Sequence, residues 1–132
     1  MRSPLVLAFF VLWSQVVADA REIRRDAIPE AFHGTWATST DACKDGAKPP
    51  TVLSAKAYAG PVGSCEVDYV TEIPGRGGAI YSARMHCRGA QPQTRTLANL
   101  IIRPGDDGQI SLGPTFESLA VHRRCPGGQA TK

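Results

Sequence analysis

Four cysteines, Cys43, Cys65, Cys87 and Cys125, are the residues whose type and spacing point most directly to chemistry. Separations of 22, 22 and 38 residues exclude the close Cys-x-x-Cys pairs that zinc sites use. An even count in a short chain fits two disulfides formed in an oxidising compartment. Three histidines come next. His86 sits beside Cys87, while His33 and His122 fall near the two ends of the patterned region. A metal needs three or four convergent ligands, and no place in the chain brings more than two together. No metal and no cofactor is therefore expected. Gly63-Ser64-Cys65 lacks the Gly-x-Ser-x-Gly elbow of a serine nucleophile. The glycines of Pro74-Gly75-Arg76-Gly77-Gly78 suggest an anion cradle only superficially, because no helix follows them. No catalytic residue is assigned, and the chain is expected not to be an enzyme.

The elements that must position these residues begin after a leader. Residues 1–20 read as a cleavable export signal: Arg2 supplies the positive start, Leu5 to Trp13 is unbroken apolar, and Ala18-Asp19-Ala20 offers a cleavage site. The apolar run is too short to span a bilayer, so no stable membrane insertion is expected after cleavage. The expected location is periplasmic or secreted. Excision removes Arg2 and Asp19 and leaves the net charge of +3 unchanged. That charge is spread along the chain without the basic stripe of a nucleic-acid binder, so nucleic acid is not an expected partner.

Residues 21–31 are charged and read as a flexible arm, and residues 126–132 as a disordered tail. Between them, 32–125 carries the signals of one β domain. Phe32, Gly34, Trp36 and Thr38 alternate with polar or small residues, the period of a half-buried strand. Trp36, the only Trp outside the leader, is expected to plug the core. A weaker strand candidate covers 51–59. Residues 65–73 and 79–87 flank the Pro74–Gly78 turn and read as a hairpin. Its expected register sets Cys65 against Cys87, Glu66 against His86, Val67 against Met85, Asp68 against Arg84, and Tyr69 against Ala83. A second hairpin joins 96–103 to 109–113, with Ile102 facing Ile110 and Leu100 facing Leu112. The last strand, 117–125, sets Leu119, Val121 and Cys125 on one face and Ala120, His122 and Arg124 on the other.

The expectation is an all-β fold: a small antiparallel meander barrel or sandwich of about seven strands, stapled by disulfides. Closure would bring the first strand to the last and Cys43 near Cys125. That favours Cys65–Cys87 with Cys43–Cys125. Cys43–Cys65 with Cys87–Cys125 is the runner-up, and spacing alone does not decide between connectivities.

The segment Ile28-Pro-Glu-Ala-Phe-His-Gly-Thr-Trp36 resembles the opening of a group of small exported alphaproteobacterial proteins, Ile-Pro-x-x-Phe-x-Gly-Thr-Trp after a signal peptide. Size, leader and Cys-bearing strands also resemble secreted bacterial effectors, which implies a role early in host-cell infection. Over about a dozen residues the Gly-x-Trp strand followed by a Cys is similar to small β-barrel metalloprotease inhibitors. That family carries an inhibitory N-terminal arm, whose counterpart here is 21–31. Two functions are therefore expected: a non-enzymatic exported interaction protein acting as a secreted effector, or a periplasmic protease inhibitor or small-ligand-binding barrel. The partner is an unidentified protein, from the host or a protease.

Overall fold

The fold is that of a computed structural model, which describes residues 22–44, 49–61, 63–75, 77–88 and 95–126. The leader 1–20, Arg76 and all of the tail after Pro126 lie outside the described residues. Nine strands make up the described chain: β1 Ile23–Arg25, β2 Gly34–Ala37, β3 Thr51–Leu53, β4 Ala57–Gly60, β5 Gly63–Ile73, β6 Ile80–Arg88, β7 Arg95–Pro104, β8 Ile110–Gly113 and β9 Ala120–Arg124. Every pairing is antiparallel. From β2 to β9 each strand pairs with the next, and β9 returns to β2. The result is a closed eight-stranded meander barrel with β1 outside it. Closure gives each of these eight strands a partner on both sides over at least part of its length.

Seven strands become nine for two physical reasons. The single candidate over 51–59 is a hairpin, turning at Ser54–Lys56 so that Val52 pairs with Ala59 and Leu53 with Tyr58. Alternation within it places Thr51, Leu53 and Tyr58 inward. The second addition, β1, comes from the arm. β4 pairs with β5 only as far as Glu66, whereas β5 runs on to Ile73. Ile23–Arg25 pairs with Val70–Glu72 along the edge that β4 leaves open.

The β5–β6 hairpin holds the expected register from Cys65–Cys87 through Val67–Met85, then shifts. A β-bulge at Asp68 pairs Tyr69 with Arg84 and Val70 with Ala83. Two successive residues, Asp68 and Tyr69, thus stay off the core face, and Val70 turns into the interior, fully buried against Ala83. An extra residue of this kind bends and twists its strand, which closing a small barrel requires. The β7–β8 register differs from expectation by two residues: Ile102 pairs with Leu112 and Pro104 with Ile110. Side chains alternate with period two, so the faces survive the shift. Leu100, Ile102, Ile110 and Leu112 are all buried. β9 departs further. Trp36 pairs with Arg124 and Ile110 with His122, so His122 and Arg124 share the inward face and Arg123 the outer one. Val121 is left 54% exposed.

The core is one cluster centred on Trp36, Leu53, Val67, Val70, Met85 and Ile102. Cys65–Cys87 lies within it and joins two paired strands. Cys43–Cys125 is outside it: a short turn at Asp41–Cys43 folds back along β2, and the bridge spans the β2–β9 seam beside the Cys125 N–H to Thr35 carbonyl bond of 2.9 Å. Two disulfides place the chain in an oxidising environment. No helix among the described residues is long and apolar enough to cross a membrane.

Candidate functional site

The two ends of the barrel are built differently. One end is sealed by the segment between β1 and β2. Pro29 fixes the backbone ahead of a single 3-10 turn at Glu30–Phe32. That turn lays Ile28 and Phe32 over the barrel, both buried. The Ile28 N–H donates to the Ala55 carbonyl at 2.9 Å, and the Phe32 ring meets Tyr81 edge-on at 5.1 Å. Carbonyls freed by so short a turn need donors, and side chains supply them. The Trp36 indole N–H donates to Phe32 at 3.0 Å. His33 Nε2 donates to Ile28 at 2.7 Å. Arg124 donates to Ala31 at 2.9 Å and also to His33. Its guanidinium lies over the Trp36 ring, 4.4 Å from the centroid. Trp36 is 1% exposed: it fills the core and props the seal.

β1 extends the seal along the barrel wall. Arg25 donates from two nitrogens to one Glu72 oxygen, at 2.8 and 3.0 Å, and Tyr81 donates to the other at 3.2 Å. Arg24 lies over Tyr69 at 4.0 Å. Burial pushes the Tyr81 hydroxyl above its ordinary range, and the Glu72 carboxylate adds to the effect as acceptor and as charge, against a smaller opposing pull from Arg25.

The opposite end carries no such seal among the described residues. There β2, β6 and β8 finish and β3, β7 and β9 begin. A cavity of about 510 Å³ lies at this end. Its apolar lining is Pro61, Leu97, Ala98 and Pro114, backed by Tyr58, Met85, Leu100 and Leu112 of the core, and its polar lining is Thr51, Asn99, Ser118 and His122. No Asp, Glu, Lys or Arg is among the described residues that line it. A second cavity of about 480 Å³, floored by Trp36, Pro49 and Pro50, shares Thr51, Pro61 and His122 with the first. His122 thus stands at the junction of the two. Its Nδ1 lies 2.7 Å from the Ala120 carbonyl; a carbonyl only accepts, so Nδ1 carries the hydrogen. In the neutral ring, Nε2 is then an acceptor.

The other histidines go elsewhere. His33 belongs to the sealed end, and nothing brings it to His122. His86 is on the outer wall, with Nδ1 2.7 Å from Asp68 and Nε2 3.4 Å from Glu66. The bulge explains why Asp68 meets His86 rather than Arg84. No group of three or more His, Cys, Asp or Glu suited to a metal occurs among the described residues. All four cysteines are consumed as Cys43–Cys125 and Cys65–Cys87.

Sequence reasoning passed over the open-end cavity. Its lining comes from six strands and two loops, so no contiguous motif announces it. His122 sits in a strand that also holds Arg123 and Arg124, so its polarity did not set it apart. Comparison with protein-family models, curated proteins and solved structures found no match to this chain, so the reading of the site rests on its geometry.

Proposed function

We propose that the chain is an exported, non-enzymatic binding protein whose binding site is the open end of the barrel. The carrying observation is the asymmetry of the two ends. One is closed by Ile28, Phe32 and Arg124, while the other leaves a cavity of about 510 Å³ with mostly apolar walls. That volume lies within the range of small-molecule pockets, and a few polar groups in an apolar wall is how such pockets orient a ligand. Resemblance to secreted bacterial effectors supports a site of action in the host cell early in infection, with a host protein as partner.

The binding reading is tested with N-phenyl-1-naphthylamine, a neutral apolar dye. Its fluorescence should rise and saturate at one dye per chain, and Ala98→Phe, which adds bulk to the cavity wall, should abolish the rise. A non-saturating signal, or one unchanged in Ala98→Phe, would overturn the reading. The effector reading is tested by a translocation reporter on the full chain. Signal in host cells is expected; signal confined to the bacterial periplasm removes that role.

A second reading, protease inhibition by the 21–31 arm, meets a specific obstacle. The arm from Ile23 onward is held by β5 pairing, by Arg25–Glu72 and by the Ile28–Ala55 bond. Entry into a protease cleft would require breaking these. Trimming residues 21–27 should leave any inhibition of a metalloprotease unchanged if the open end is the binding site; loss of inhibition on trimming would restore the arm mechanism.

A further inference from the structure

We infer that the ligand of the open end is an uncharged, mainly apolar small molecule carrying one hydroxyl, and that His122 Nε2 accepts that hydroxyl's hydrogen. The inference rests on the open-end reading above and deepens it. Three observations carry it.

The first is charge. The described lining of the 510 Å³ cavity offers no ionised side chain to pair with an ion. Moving a carboxylate or ammonium from water into such a space is costly without a counter-charge, so the cavity selects against ions. Selection is specific to this place, because Arg88, Arg95, Glu66 and Asp68 all lie on strands of the same barrel without entering the lining.

The second is the direction of hydrogen bonding. His122 Nδ1 is spent on the Ala120 carbonyl. What remains on the neutral ring is an acceptor, and an acceptor inside an apolar site selects a ligand that can donate. A carboxylate or an ether cannot donate; an alcohol can. The Thr51 hydroxyl can serve either way and adds no discrimination. The Ser118 hydroxyl is taken up by the Thr115 N–H, hydroxyl and carbonyl. The Asn99 carbonyl oxygen accepts from Ser82, leaving its amide N–H groups as a side-chain donor beside His122.

The third is position. His122 lines both cavities, and Thr51 and Pro61 do so with it. A ligand whose body lies against the cavity's apolar lining has its polar end beside the ring at the junction. Leu97, Ala98, Pro61 and Pro114, backed by the buried Met85, Leu100 and Leu112, give an apolar lining that suits an alkyl or ring body.

The experiment titrates the oxidised chain by calorimetry at pH 7.5 with three probes of equal length: 1-decanol, decanoate, and an alkyl methyl ether lacking the donor. Decanol should bind at least ten-fold more tightly than decanoate, reflecting the missing counter-charge. It should bind about five-fold more tightly than the ether, reflecting one hydrogen bond. His122→Phe should retain decanol binding but lose the alcohol-over-ether preference. His122→Gln, which keeps an acceptor, should restore it. Circular dichroism and an unchanged melting profile establish that both variants fold. If no probe binds, the open-end reading itself fails. If all three bind equally, or the alcohol preference persists in His122→Phe, the open end still binds small molecules but the ligand class assigned here is overturned.

Discussion

Trp36 and Arg124 act as one device. The indole fills the core and donates to Phe32, while the guanidinium covers its face and satisfies two carbonyls of the segment that closes the barrel. Removing the arginine loses a cation–π contact and two hydrogen bonds at an exposed site, so Arg124→Ala should cost about 1 kcal/mol. Trp36→Ala removes a fully buried aromatic and should cost roughly 3–5 kcal/mol. Urea unfolding reads both. If they form one device, the double variant will cost less than the sum of the singles. Tyr81 makes a second residue-scale test. Its folded-state pKa is raised, chiefly by burial and then by Glu72. The neutral hydroxyl is therefore favoured by folding, and its contribution is complete below the ordinary tyrosine range near pH 10. It is lost as pH rises through the higher folded value. Tyr81→Phe keeps the ring against Phe32 and removes the titrating group. The variant should lose less stability than the parent as pH rises above about 10, measured as the shift in urea midpoint. An equal loss in the two proteins would show that Tyr81 is not the group responsible.

At the scale of elements, turns and registers decide what faces the lumen. Gly113 ends β8 under the loop that supplies Ser118 to the cavity mouth. A methyl group there would lie 2.7 Å from the Ser118 carbonyl oxygen, a backbone atom that cannot swing aside. Gly113→Ala should therefore cost about 1–3 kcal/mol and weaken binding of the neutral dye by displacing the mouth; unchanged dye affinity would place the site elsewhere. The legibility of the elements follows from what sets them. Cys65, Val67, Met85 and Cys87 fell where alternation put them because the first half of that hairpin is regular. The bulge at Asp68 was invisible: it answers the curvature of a closed barrel, which no local pattern encodes. The two-residue slip of β7 on β8 was likewise invisible, but period two made it harmless to the core. β1 could not be read at all. Arg24 and Arg25 carry no strand periodicity, and they pair only because β4 stops short and leaves an edge of β5 to cover. The candidate site was the least legible part, being assembled across six strands, among them the undivided 51–59 candidate and β9. In β9 the reading by apolarity inverted the faces, since Arg124 and His122 turn inward to serve Trp36 and the cavity.

The whole molecule is a ring, and a ring is only as closed as its weakest seam. β5 and β6 are paired from Ser64–Arg88 to Ile73–Ile80, whereas β2 and β9 share only Trp36–Arg124 and Ala37–Arg123. The two disulfides therefore do different things. Cys65–Cys87 links strands already zipped together, at a sequence separation of 22. Cys43–Cys125 spans the short seam at a separation of 82. Loop-closure entropy alone assigns the two bridges roughly 3.4 and roughly 4.5 kcal/mol. The difference is modest beside the structural one: without the seam bridge, the first and last strands can part while the long β5–β6–β7 sheet stays folded. Opening there should be local before it is global. Replacing Cys43 and Cys125 with Ala should sharply speed amide hydrogen exchange at Trp36, Ala37 and Cys125, leaving the centre of β6 near its original protection. Replacing Cys65 and Cys87 with Ala should lower protection across the barrel together, because it also empties space in the core. Should the seam variant lose protection uniformly, the barrel opens as a single unit and the β2–β9 seam is not its point of entry.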